Sequence, residues 1–584
     1  MSDSLRIANC SGFYGDRLSA AREMVEGGPI DVLTGDYLAE LTLMILMKDR
    51  LKDPTLGFAR TFLRQLEEIA ATCAARGIKI VVNAGGLNPA GCAEAARAIY
   101  SRLGVNAVVA HIEGDDLMPK LEDLQRAGET FTHLDKGIPL SSLDANVVSA
   151  NAYLGGWGIV RALERGADLV ICPRVTDAAL TLGPAAWKFG WARDDWDRLA
   201  AGVVAGHVIE CGAQCTGGNY SFFEEVPDLS HPGFPIAEMY PDGSFVITKH
   251  QGSGGLVSVG TVTAQLLYEI AGHEYPNPDV TARFDTIKLA QQGPDRVLVS
   301  GIKGEPPPAT TKVCINYLGG FRNSMTFILT GLDIGKKAKL AEETFWKLVG
   351  GREQFAETAV SVQRADKLNP ASNEDAFVMM TIGAKDPDAN KVGRAFSGKV
   401  IEMALSSYPG FTMTSLPADA RQFGVYWPAL VSADAVDHRV VIDGESTSIA
   451  PVAPPAAFDK PPKPLTSRGA APAGPCKDVP LGTICGARSG DKGGNANVGV
   501  WVRSQQAYDW LESYLTVERI KELLVETRDL QVDRYALPQL LAVNFVVKGL
   551  LGDGVAASLR SDPQAKTLGE YLRAKIVPIP VSLV

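Results

Sequence analysis

The chain has 584 residues, of which 46% are hydrophobic, 21% charged and 7% aromatic. That composition excludes a disordered, collagenous or coiled-coil protein and, at roughly 100–200 residues per domain, implies several domains. With 57 Lys plus Arg against 67 Asp plus Glu the net charge is -10, so the composition offers no basic excess to bind nucleic acid or an anionic membrane.

The chain opens Met1-Ser2-Asp3-Ser4 without an apolar run behind it, which is neither a signal nor a transit peptide, and the expectation is a cytoplasmic protein. No stretch nears the roughly 18 consecutive apolar residues that cross a bilayer. Nine scattered cysteines, an odd number, fit a reduced chain without structural disulfides.

The first 190 residues repeat a short β-branched run, a polar Gly/Asn/Asp loop and a helix-period stretch. The runs at 5–8, 30–33, 78–82, 107–110 and 168–171 are almost wholly apolar, which predicts strands covered on both faces and a mainly parallel α/β N-terminal domain over 1–284. From 285 to 450 the texture becomes α+β, with strands at 312–317 and 325–329, a helix at 340–349 and another at 392–407. Eight prolines fall in 451–475, the composition of an interdomain linker. Residues 476–584 read as a small ferredoxin-like α+β C-terminal domain, with strands at 497–502 and 542–548 and helices at 508–524 and 568–574.

In a parallel sheet, ligands gather at the carboxyl ends of the strands, and here those positions are unusually polar. They hold Ser11 and Asp16 after the first run, Asp36 after the second, Asn83, Gly85, Gly86 and Asn88 after the third, Glu113, Asp115 and Asp116 after the fourth, and Arg174 and Asp177 after the fifth. Carboxylates gathered in one cleft would divide into a protonated acid and an ionised base, or would hold a hard cation such as Mg²⁺; single members also serve to cap helices. Arg174 offers a fork for a carboxylate or phosphate, or a structural salt bridge. The paired glycines either bring backbone N–H groups to an anion or enolate oxygen, or form a tight turn. No GxGxxG follows the first run and no GxxxxGK[ST] is present, so nucleotide and dinucleotide binding lack support.

These loops together resemble the acyclic terpene utilisation protein AtuA family. The resemblance is carried by SGFYGDR (11–17), LTGDYLAELT (33–42), NAGGLNP (83–89), EGDDL (113–117), PRVTDA (173–178) and ECGAQCTGGN (210–219), and by ARSGDKGGNANVGV (487–500) in the C-terminal domain. It implies a setting in the breakdown of citronellol- and geraniol-type isoprenoids, whose acids are processed as branched acyl-CoA thioesters. No redox cofactor is implied, and the expected partner is a small acyl thioester or carboxylate. A homo-oligomer is the base-rate expectation for so large a chain.

Further along, His207, Cys211 and Cys215 at i, i+4, i+8 would share a helix face, as a soft metal site or as core. Cys211 is also a candidate nucleophile beside Glu210. Gly217, Gly218 and Asn219 follow as a turn suited to binding substrate. Arg488, Ser489, Asp491, Lys492, Gly493, Gly494 and Asn495 read as a loop between two strands, reaching toward the first domain with Lys492 as a point charge and the glycine N–H groups as an anion nest. The catalytic set drawn from the sequence is Asp16, Asp36, Glu113, Asp116, Arg174, Asp177 and Cys211. The expected chemistry is that of a lyase or hydratase acting next to a thioester; a non-catalytic acyl-CoA-binding scaffold is the alternative.

Overall fold

A computed structural model describes residues 4–460, 469 and 471–584. The N-terminal runs form β1 (Leu5–Asn9), β2 (Val32–Gly35), β3 (Lys79–Val82), β4 (Val109–Glu113), β5 (Val147–Ala152) and β6 (Leu169–Ile171). Five of them pair in parallel in the order β1-β2-β3-β6-β4. Alternate side chains serve two separate cores. Ala8, Leu33, Val82 and Ile171 pack against helices Ala20–Glu26, Arg60–Arg76 and Pro89–Arg102. Ile7, Val32, Val81 and Val170 pack against Trp157–Glu164, Ala179–Phe189 and Trp196–Ile209 on the other face. Burial on both sides explains why the runs are apolar throughout rather than alternating.

Antiparallel strands extend this sheet to eleven. Pro235–Met239, Phe245–Lys249, Arg296–Ser300 and Lys288–Gly293 continue from β1, and Arg439–Ile442 and Glu445–Ser448 continue from β4. The sheet therefore takes strands from both sides of residue 284 and does not end there. Among the described residues no helix is long and apolar enough to cross a membrane.

The middle region is a six-stranded antiparallel sheet around one long strand, Thr310–Thr330, where the sequence suggests two short ones. Its neighbours are Arg421–Ser432 on one side and, on the other, Phe377–Asp386 and β5, which is contributed by the N-terminal part. The helix expected at 392–407 is three short pieces, Ala389–Val392, Arg394–Ser397 and Lys399–Glu402, separated at Gly393 and Gly398; glycine holds a helix weakly. The helix expected at 340–349 begins earlier, as Ile334–Leu348. In the linker the described residues carry neither helix nor strand, and 461–468 and 470 lie outside the described residues.

The C-terminal part has its own core under a four-stranded antiparallel sheet, ordered Gly486–Lys492, Asn495–Trp501, Ala542–Val547 and Val532–Leu537. The segment expected as a loop is thus a hairpin whose strands are joined across Gly493-Gly494. The expected helix at 508–524 is two helices, Gln505–Tyr514 and Val517–Leu523.

Candidate functional site

The carboxyl ends of β2, β3 and β6 converge. Asp36, 6% exposed, receives Asn83 Nδ2 at 2.5 Å, and Asn83 Oδ1 accepts from Tyr37 N at 2.7 Å. Arg174 is ion-paired with Asp177. Its remaining N–H groups go to the carbonyls of Val175 (2.8 Å from Nε) and Leu38 (3.3 Å from Nη1), and its guanidinium lies 4.6 Å from the Tyr153 ring centroid. At 1% exposure it has no free face for a substrate. It therefore organises the site, and the expected substrate fork is corrected to a structural one.

The middle sheet brings in groups that no local motif marks. Tyr153 N donates to Lys312 O at 2.8 Å and Leu154 N to Arg174 O at 3.1 Å, so the long strand is stitched to the loop after β6. Lys312 Nζ then stands 3.5 Å from Glu40 Oε1, and Tyr153 Oη donates to the same oxygen at 2.9 Å. The Lys312 ammonium also lies 5.5 Å from the Tyr426 ring centroid, and the enclosed Tyr426 hydroxyl acts on it. Glu40, Asp177 and Lys312 each leave about a third of the side chain uncovered (34%, 33% and 35%), although burial is the largest single influence on each. They face an internal chamber.

A second group of side chains borders this one. Helix Trp196–Ile209 ends with His207, whose Nδ1 lies 3.4 Å from Glu210 Oε1 and whose Nε2 lies 3.1 Å from Gln265 O. The C-terminal hairpin supplies Lys492, 5.5 Å from the Tyr275 ring centroid, and Arg488, 4.3 Å from that of Tyr268. Asn497 Oδ1 accepts from Glu269 N at 2.8 Å, fixing the hairpin to the first domain. The two groups sense one another electrostatically: Asp177 acts on both Asp36 and Glu210, and Lys312 on Lys492.

The chamber sorts its carboxyls into two kinds. Burial, reinforced by the Asp177 charge, pushes Asp36 and Glu210 well up. Burial raises Asp177 against the pull of Arg174, and raises Glu269 against Tyr268 and Lys492. Asp491 is pushed up to about 8 by burial and by Glu269. Burial also works against ionisation of Glu40, yet Lys312, Arg174 and the Tyr153 hydroxyl together hold that carboxyl down at about 2. Glu40 is thus lowered among neighbours that burial raises. Lys492 is lowered by burial and by the Lys312 charge.

Several sequence-derived candidates lie elsewhere or are already committed. Glu113 is at the opposite border of the parallel strands, bound to His111 at 3.0 Å and facing Arg439 at 3.5 Å, because β4 pairs there with Arg439–Ile442. Asp116 accepts from Met118 N at 3.0 Å, and Asp16 from Gly12 N and Arg17 N at 2.8 and 2.7 Å; both are turn-forming groups. Ser11 Oγ donates to the Asp36 carbonyl at 2.9 Å. Gly85 N and Gly86 N are spent on Cys172 O (3.0 Å) and Asn83 O (3.3 Å), and Gly86 has φ +54°, so this is a tight turn and not an oxyanion cradle. Asn88 caps helix Pro89–Arg102 through Gly91 N at 2.9 Å.

The Cys211 thiol is pushed well up by burial and by Glu210 and Glu269, the opposite of what a nucleophile needs. The helix ends at Ile209, so His207, Cys211 and Cys215 share no helix face. No three or more His, Cys, Asp or Glu side chains among the described residues are arranged to hold a metal. Gly217 N and Gly218 N close a turn on Gln214 O and Ala213 O, with Asn219 exposed beside them at φ 57°. Ser489 Oγ accepts from Gly569 N at 2.9 Å, and Asn495 Nδ2 donates to Asp135 Oδ1 at 2.6 Å. Gly493, at φ +65°, and Gly494 form the hairpin turn. A surface cleft of about 790 Å³ between the middle sheet and residues 549–571 holds none of the chamber groups.

Fold and chamber define a three-part α/β protein whose N-terminal strand ends, middle sheet and C-terminal hairpin jointly enclose acid–base groups. The chain belongs to the acyclic terpene utilisation family AtuA, whose model matches residues 5–442, and an AtuA ferredoxin-like domain matches residues 479–578. No curated protein and no solved structure matches it.

Proposed function

We propose that the protein is a proton-transfer enzyme of acyclic terpene breakdown, a lyase or hydratase acting on a branched acyl thioester. One observation carries this reading: Lys312 and Arg174 hold Glu40 down at about 2, while burial raises Asp36 and Glu210 well above the usual carboxylate range among the same group of side chains. Pairs of carboxyls whose surroundings push them apart supply a base and an acid at one pH. Removal of a proton next to a thioester leaves negative charge on its oxygen. With the Gly85-Gly86 N–H groups engaged in their turn, the Lys312 ammonium is the group that meets that charge. Glu210, whose carboxyl burial raises well above the usual range, returns the proton.

The test is α-proton exchange in D₂O with a geranyl-type acyl-CoA, followed by NMR. Exchange that disappears in Glu40→Gln without loss of the folded state supports the enzyme. Tight binding of the thioester with no exchange in the wild type refutes it and makes the protein a binding or scaffold subunit.

A further inference from the structure

Three arginines are more than nine-tenths buried among the described residues: Arg174, Arg283 and Arg488. Two of them are matched by carboxylates. Arg174 pairs with Asp177, and Arg283 sits between Asp285 at 2.6 Å and Glu305 at 2.8 Å. The guanidinium of Arg488, a residue 7% exposed, makes no hydrogen bond and no ion pair to any described residue, and its Nη2 is enclosed without a partner. A guanidinium taken out of water without a counter-charge is costly, and natural proteins keep such groups where a ligand completes them.

The surroundings of Arg488 are built. It lies on strand Gly486–Lys492, on the same face as Gly490 and Lys492. The Tyr268 ring presses on that strand so closely that a Cβ on Gly490 would come within 2.4 Å of it, and the guanidinium rests against the ring, 4.3 Å from its centroid. Stacking fixes the orientation of the fork but supplies no anion. One turn back from Tyr268, Gln265 Oε1 is also enclosed without a partner, as are Glu210 Oε2 and Gln214 Oε1. Because His207 Nε2 faces the Gln265 carbonyl, which can only accept, Nε2 carries the proton and Nδ1 is another acceptor.

We infer that Arg488 anchors a carboxylate of the ligand at the end of the chamber closed by the C-terminal domain. The planar fork matches a carboxylate through two parallel bonds. One guanidinium matches the single charge of a carboxylate, whereas a phosphate dianion needs more donors than Arg488 alone supplies; the unpartnered amide oxygens of Gln214 and Gln265 suit hydrogen-bond donors elsewhere on the ligand. This assignment rests on the acid–base reading only in taking that ligand to be the reaction's substrate, which then carries a free carboxylate besides its reacting acyl group.

The test is calorimetric titration of glutarate, and separately of inorganic phosphate, into the full-length protein and into its Arg488→Met and Arg488→Lys variants. The wild type is expected to bind glutarate, Arg488→Met at least tenfold more weakly, and Arg488→Lys in between. Without ligand, Arg488→Met is expected to melt at or above the wild-type temperature, since an unpaired buried charge has been removed. Equal glutarate affinity in the wild type and either variant overturns the inference, as does binding of phosphate in place of glutarate or no binding of glutarate to the wild type. If Arg488→Met does not fold, Arg488→Lys decides alone. Arg488-dependent glutarate binding in a wild type that shows no α-proton exchange keeps the anchor and removes the enzyme reading.

Discussion

Glu40 and Lys312 meet at 3.5 Å across the junction of the parallel sheet and the middle sheet, and each keeps the other charged. Burial weighs against both ions, but Lys312 holds Glu40 down, while Tyr426 and Glu40 hold the Lys312 ammonium up. A group whose folded value is depressed stabilises the fold above its unfolded value, and that stabilisation is lost as pH falls through the folded one. For Glu40 the window runs from 4.5 down to about 2. Lys312→Met should therefore be less stable than the wild type at pH 6, by a margin that narrows as pH falls toward 2, and α-proton exchange should fall at least tenfold. Chemical denaturation at pH 2.5, 4 and 6 measures the margin; a margin independent of pH would show that Glu40 is not tied to Lys312.

Glu113 provides the contrast. Its partners are His111 and Arg439 at the border of the sheet, and its carboxyl is lowered first by the His111 bond. Glu113→Gln should cost no more than about 1 kcal/mol, as for a part-exposed ion pair, and should leave α-proton exchange at the wild-type rate. Loss of exchange in this variant would show that the His111–Glu113–Arg439 group takes part in the chemistry.

Asn88 separates capping from binding. Its Oδ1 accepts from Gly91 N, and its Nδ2 donates to the carbonyls of Thr55 and Leu56 at 3.0 and 3.2 Å. Asn88→Ala should lower stability by about 1 kcal/mol, the usual cost of losing an N-cap, without changing the affinity for a thioester. A change in affinity at unchanged melting temperature would restore Asn88 to the binding surface.

How much of this was legible in the sequence follows from range. Asp36, Asn83 and Asp177 stand directly after apolar runs, so the strand-end rule for parallel sheets finds them, and Lys492 sits beside a Gly-Gly turn. Glu40, Lys312, Tyr426 and Glu269 reach the chamber through pairings that no local pattern encodes: β5 against Thr310–Thr330, and the hairpin against the end of helix Val259–Leu266. Glu113 misleads for the complementary reason. Its strand end looks like the others, but the antiparallel strand Arg439–Ile442, more than 300 residues later, covers it. The hairpin reads as a loop because Ser489, Asp491 and Asn495 are turn-forming residue types, yet they sit in strands, where Ser489 holds Gly569 N within the C-terminal domain and Asn495 reaches Asp135 in the first domain.

Asp115 is the remaining buried carboxyl of the strand-end loops, and it stands behind Arg174. It is 4% exposed, and its Oδ2 accepts from Asn151 Nδ2 at 2.8 Å and from Arg174 N at 3.3 Å. Burial pushes it from 3.8 up to about 7, against the Asn151 bond. Below pH 3.8 it is protonated in both the folded and the unfolded chain. Between 3.8 and 7 the unfolded chain ionises first, so the protonated folded form loses relative stability as pH rises, and the loss levels off above 7. An amide cannot ionise. Asp115→Asn should match the wild type near pH 4 and exceed it at pH 8, by at most roughly 4 kcal/mol at 1.36 kcal/mol per pK unit. Melting temperatures of both proteins at pH 4, 6 and 8 give the answer. A variant that is less stable than the wild type by the same amount at every pH would mean that the position needs two acceptor oxygens, with the carboxyl ionised throughout.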